Sequence, residues 1–157
     1  MPKKNKELSQ QYSHEVCNQK LELNKKISFR LFDRAWNKND MAVLDALVPP
    51  ESIDHSPLHD SATLGAESFK SIIGMFRAAL SDLHLAIEDE IAEGDRVVHR
   101  WVLRGTHTGV LFGVPPSGKA LSMTGITIVR LENGLVIERW VNLDQLGLLQ
   151  QLGVIPG

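Results

Sequence analysis

Apolar positions from Leu23 recur at Ile27, Leu31, Phe32, Ala35 and Trp36, the spacing of a helix with one buried face. A break at Asn39-Asp40 precedes a shorter helix through Met41, Leu44 and Leu47, which Pro49-Pro50 stops. "ESIDHSPLHDS" reads as a short edge strand and loop, because Pro57 prevents regular continuation. Gly65 to Leu80 is a second amphipathic helix, with Phe69, Ile72, Ile73, Phe76 and Leu80 on one side. The period then changes to two. Leu83, Leu85, Ile87 and Ile91 alternate with polar neighbours, "EGD" at 93–95 turns the chain, and Arg96–Thr106 makes a second strand. A long loop follows, then a strand over Leu121–Leu131. Asn133-Gly134 is a strong hairpin signal, since both residues tolerate positive φ. Leu135–Leu143 pairs back, and "QLGLLQQLG" closes as a short helix with Gly153 as its stop.

Helices first and a four-stranded antiparallel meander afterwards predict an α+β domain, a curved sheet with helices on one side. Residues 1–20 form a polar N-terminal extension, disordered or helical, and 21–157 a single domain. With a two-residue turn at Asn133-Gly134, Thr127 faces Trp140 and Met123 faces Asp144. Side chains alternate along a strand. Met123, Gly125, Thr127, Glu138, Trp140, Asn142 and Asp144 then share one face, and Ile126, Ile128, Ile137 and Val141 the other. A bulge would break this register.

The chain has 157 residues, enough for one sizeable core. A net charge of -2 gives no electrostatic case for nucleic acid or an anionic membrane. No run reaches membrane-spanning or signal-peptide length. Cys17 is alone, which suits a reducing compartment. Neither a P-loop, a dinucleotide fingerprint nor a paired-cysteine metal pattern is found. These features predict a cytoplasmic protein that uses no cofactor. "DHSPLHD" offers His55, His59, Asp54 and Asp60 as metal ligands, but Pro57 interrupts the segment and no remote partner is evident, so no metal is expected.

Three segments carry a family resemblance: "WNKNDMAVLDALVPPESIDHSP", "EIAEGDRVVHRWVLRGTHTGVLFGVPPSGKAL" and "TGITIVRLENGLVIERWVNLDQLGLLQQLG". Over about residues 24–153 the chain resembles the SnoaL-like polyketide cyclases, also called ester cyclases, of the NTF2-like superfamily. The resemblance implies a cone-shaped α+β barrel in which N-terminal helices pack on a strongly curved, mainly antiparallel sheet around an apolar pocket. It implies ring closure by an intramolecular aldol reaction without a cofactor. It also implies an acid/base aspartate near the end of the last strand and a histidine after the preceding long strand, here Asp144 and His107. His55 resembles a pocket-rim residue.

The residues leave alternatives open. Asp144 is either a desolvated base at a pocket edge or the N-cap of the closing helix. His107 is either a donor to a developing enolate or a loop histidine held by backbone. Thr127, Met123 and Trp140 line the pocket if Asp144 faces it, although Trp140 also suits core packing or a dimer contact. Trp101 is a wall candidate. Arg100 binds a substrate oxygen, or pairs with the acidic run Glu88-Asp89-Glu90. Phe112 covers the pocket or packs on a second subunit. The partners expected are a small, apolar, carbonyl-rich molecule and a second copy of the chain, docked through outward Ile126, Ile128 and Val141. The alternative to an enzyme is a non-catalytic module of the same fold that holds a ligand or partner.

Overall fold

The computed structural model describes residues 2–58 and 64–157, with side chains described from residue 10 onward. Helix α1 runs from Pro2 to Phe32, so residues 2–20 are helical and continuous with the domain. Residues 10–20 are exposed all round; Asn24, Ser28, Leu31 and Phe32 are the first buried positions. A single π turn, Asp33–Asn37, continues α1. Its extra residue lets Asn37 clamp the strand that begins at His84, donating to the Leu85 carbonyl at 3.0 Å and accepting from the Leu85 amide at 2.8 Å. This anchorage turns Phe32 and Trp36 towards the sheet.

The short helix α2 (Ala42–Leu47) leads to β1 (Ile53–His55), and α3 (Gly65–Ala79) follows. The meander is β2 (His84–Glu93), β3 (Arg96–Thr106), β4 (Ala120–Glu132) and β5 (Leu135–Leu143), closed by α4 (Gln145–Leu152). The sheet has five strands in the order β1-β5-β4-β3-β2, because β1 adds parallel to β5. The architecture is the expected α+β layout. Its inner sheet face, with Val97, Trp101, Leu103, Met123, Val129 and Val136, packs on Phe32, Trp36, Phe69, Ile72 and Phe76 from the helices.

Two bulges set which residues face inward. In β5, Arg130 pairs with Glu138 but Leu131 with Val136, so Ile137 is an extra residue. Thr127 therefore faces Val141, Ile128 faces Trp140 and Gly125 faces Leu143. This corrects the register expected from the hairpin. Trp140, Asn142 and Asp144 lie on the outer face, while Arg139, Val141 and Leu143 turn inward with Met123 and Thr127. Val141 consequently belongs to the core side, not to an outer docking face. In β2 the register shifts between Ile87 and Asp89.

The 107–119 loop is tied to the end of α3, since the Thr108 and Gly109 amides both donate to the Ala79 carbonyl. Gly109 is required there because a Cβ would run into the Ala78 carbonyl oxygen. At the same end of the sheet β5 stops before it can cover Ser122. The Gln151 side-chain amide from α4 takes its place, bonding the Ser122 amide and carbonyl at 2.9 and 2.8 Å.

Candidate functional site

Two concavities bear on function. The larger, about 500 Å³, is an open groove on the outer sheet face, lined by Arg100, Thr124, Ile126, Asn142 and Asp144 among others. The other lies between the helices and the inner face. Phe32, Trp36, Ile72 and Phe76 form its helical wall. Trp101, Met123, Thr127, Arg139, Val141 and Leu143 form its sheet wall, and Ser56 and Leu58 its edge. Its volume is about 20 Å³, room for about one water molecule. The groove is roomier, but its carboxylate is open to water, whereas the inner cavity is shielded and holds a buried charge. Chemistry that depends on desolvation belongs to the second setting.

The buried charge is Arg139. It is 3% exposed and pairs with Asp54, its cross-strand neighbour on β1. Arg139 Nε donates to Asp54 Oδ1 at 3.0 Å, and Nη2 donates to Oδ2. The Ser56 amide (3.1 Å) and the Ser68 hydroxyl also donate to this carboxylate. Arg139 further lies over the Phe69 ring, 3.7 Å from its centroid. Burial pulls the guanidinium pKa down, and Asp54 opposes that shift. Arg139 lines the cavity; Asp54 stands behind it and is also bonded to the lining residue Ser56.

Thr127 Oγ1 accepts the Trp101 indole N–H at 2.9 Å, so its own proton is available to another acceptor. The Trp101 ring covers Gly125, where a Cβ would overlap it. Trp36 is 6% exposed, and its Nε1 is buried without a hydrogen-bond partner among the described residues.

The residues expected from sequence divide between the two faces. Trp101, Met123 and Thr127 line the inner cavity. Phe112 reaches it only indirectly, packing edge-on against Phe76 at 6.2 Å between centroids. Asp144 and His107 are not brought together. Asp144 is exposed and caps α4, its Oδ1 accepting from the Gly147 amide at 2.8 Å. His107 is fully buried on the inner side, where its Nδ1 accepts the Ser117 amide at 3.3 Å and lies 3.0 Å from Ser117 Oγ. It lies outside the cavity lining and clasps its own loop.

Arg100 points outward and pairs with Glu88. His55 and Trp140 also turn outward, because β1 alternates and Asp54 takes the inward position. Their rings stack 5.3 Å apart, with His55 Nε2 3.0 Å from Glu138 Oε1. His59 and Asp60, weighed as metal ligands, lie outside the described residues.

Sequence reasoning did not place Arg139 or Trp36 at this cavity, and it weighed Asp54 only as a metal ligand. A signal existed for Arg139. It shares parity with Ile137 and Val141, and a charge among apolar residues of one strand face is anomalous unless paired.

Residues 26–152 match the profile of the SnoaL-like polyketide cyclases. The chain belongs to this family. Among relatives of the SnoaL-like chain, the nogalonic acid methyl ester cyclase of Streptomyces nogalater is 28% identical over 120 residues, covering 76% of this chain and 90% of the relative. Among solved structures, AclR of Streptomyces galilaeus, described as a candidate hydroxylase, superposes with a TM-score of 0.77 at 26% identity. It covers 87% of this chain and 85% of AclR. TsrD of Streptomyces laurentii superposes with a TM-score of 0.75 at 30% identity, covering 85% and 97% of the two chains.

Proposed function

We propose that the protein is a cofactor-independent cyclase that acts on a small, apolar, carbonyl-rich ester inside the cone, with the Arg139–Asp54 pair as its reacting centre. The observation that carries this reading is a bidentate ion pair buried beside an otherwise largely apolar cavity. Such a pair is a weak source of stability, since its desolvation offsets much of its attraction. Its place at the cavity wall suits chemistry better than folding.

The reaction is an isomerisation. A proton leaves a carbon flanked by two carbonyls, and the resulting enolate carbon attacks another carbonyl carbon of the same molecule. One C–C bond forms, and the new alkoxide takes the proton back. Arg139 turns from Asp54 to the enolate oxygen, which opens the cavity to the carboxylate behind it, and Asp54 holds the proton. The buried charge then changes partners without changing in amount, which avoids the cost of creating a lone charge in a low-dielectric site. A ring substrate exceeds the ligand-free cavity, so its entry parts the walls, with flexible Met123 the readiest to move.

The test is conversion of nogalonic acid methyl ester, the compound named in the relative's activity, to a product of equal mass. Asp54→Asn is expected to lower kcat at least 100-fold with the ester still bound. Asp144→Asn, which keeps a good helix cap, is expected to leave kcat within a factor of three. The opposite pattern would move the reaction to the outer groove, with Asp144 as base and Arg100 as its neighbour. The groove's volume of about 500 Å³ favours that second reading.

We also propose a homodimer through the outer sheet face, where Ile126 is 46% and Ile53 42% exposed. Sedimentation at micromolar concentration should give twice the chain mass, and Ile126→Glu should give the monomer. The lone Cys17 supports a reducing, cytoplasmic setting. No helix among the described residues is long and apolar enough to cross a membrane.

A further inference from the structure

The inner cavity is lined by a residue whose donor nothing among the described residues uses. Trp36 comes from the π turn and lines the cavity beside Phe76, their ring centroids 6.1 Å apart. It is 6% exposed, and its Nε1–H is buried with no acceptor among the described residues. Buried indole N–H groups ordinarily find a partner. Phenylalanine would supply the same apolar wall without an unpaired donor. The nearby lining repeats the pattern. Thr127 already accepts from Trp101 and has its own proton to give, and Arg139 offers only donors. The cavity is therefore apolar in area and donor-rich in its polar groups. The ligand it complements carries oxygen acceptors on an apolar frame, without hydroxyl or amine donors facing this wall.

We propose that Trp36 Nε1–H is a specificity-determining donor that binds a ketone or ester carbonyl oxygen of the ligand. This rests on the inner cavity being the ligand site, but it does not depend on turnover. A site built around a hydrogen bond rejects the analogue that lacks the group, because the buried donor is then left unpaired. A wild-type preference for the carbonyl compound of tenfold or more follows.

The probes are 9-fluorenone, with one carbonyl acceptor and no donor, and fluorene, its hydrocarbon counterpart. Titration calorimetry of the full chain is expected to give at least tenfold tighter binding of fluorenone. Trp36→Phe should reduce that preference to less than threefold while fluorene affinity and the thermal midpoint hold or rise. A merely structural tryptophan would instead lower the midpoint and weaken both probes alike. In the unsubstituted protein, the ¹H–¹⁵N resonance of the Trp36 indole should move downfield with fluorenone and not with fluorene. This reading needs no variant to fold.

Failure of fluorenone to bind, a preference retained in Trp36→Phe, or an unmoved indole resonance would each overturn the inference. Asp54→Asn should keep the preference. If turnover fails but the preference stands, the cyclase reading is wrong and the donor site is right.

Discussion

Lowering the pH from 7.5 to 5.5 is expected to weaken the fold by about 1 kcal/mol through His99 alone. His99 is fully buried between α1 and the sheet. Its Nε2 lies 2.5 Å from Ser28 Oγ, and Phe32 packs on its ring at 4.9 Å. Its Nδ1 is 3.3 Å from Glu90 Oε2 but out of line for a hydrogen bond. Burial disfavours the imidazolium and brings the pKa from 6.5 down to about 4. The unfolded chain therefore binds the proton first. The contribution is complete above about pH 6.5 and is lost as the pH falls towards 4.

At pH 5.5 the unfolded imidazole is about ten-elevenths protonated and the folded one almost neutral, which gives the figure above. The charged groups around this site are Glu90, Lys25 and Glu22. Burial raises the Glu90 pKa, Lys25 lowers it and Glu22 raises it. A raised carboxyl acts in the opposite sense, so it trims the loss at the acid end. Urea unfolding of wild type and His99→Gln at both pH values isolates the term, because the remaining groups titrate in both proteins. Equal pH dependence in the two proteins would refute the reasoning.

Arg139→Leu is expected to cost about 3 kcal/mol or more in urea unfolding, because it leaves the Asp54 carboxylate buried and uncompensated. The double variant Asp54→Leu/Arg139→Leu should recover part of that loss, since two apolar residues leave no lone charge, while the Ser56 amide and Ser68 hydroxyl lose their acceptor. Gly125→Ala places a methyl group against the Trp101 ring. It should destabilise by about 1–3 kcal/mol and shift tryptophan emission to the red. Asp144→Ala removes the α4 cap and should cost about 1 kcal/mol of stability with turnover intact.

The meander and its helices were legible because their signals are local: a period of 3.6 in α3, a period of two in β3 and β4, and Asn133-Gly134 between β4 and β5. The π turn and the β5 bulge were not, since both depend on what the extra residue gains elsewhere. In the π turn Asn37 clamps Leu85, and in β5 Ile137 absorbs one step of register. That step decided which β5 side chains face the inner cavity. It sent Trp140 and Asp144 outward and Arg139 inward, exchanging the expected faces beyond the bulge. The β1 strand is three residues long and too short for a periodic signal, so the inward turn of Asp54 depended on its pairing with β5. Met123, Thr127 and Trp101 lie on the cavity side because they precede or avoid the slip. The family pattern led to the fold with less ambiguity than to the reacting groups. It pointed to Asp144, whose capping bond the sequence also predicted.

The most direct test is a crystal structure of the protein with nogalonic acid methyl ester bound. The account predicts the ester between the helices and the inner sheet face, with one carbonyl oxygen within 3.2 Å of an Arg139 nitrogen and another accepting from Trp36 Nε1. An ester seated in the outer groove against Asp144, with the inner cavity still closed, would contradict it.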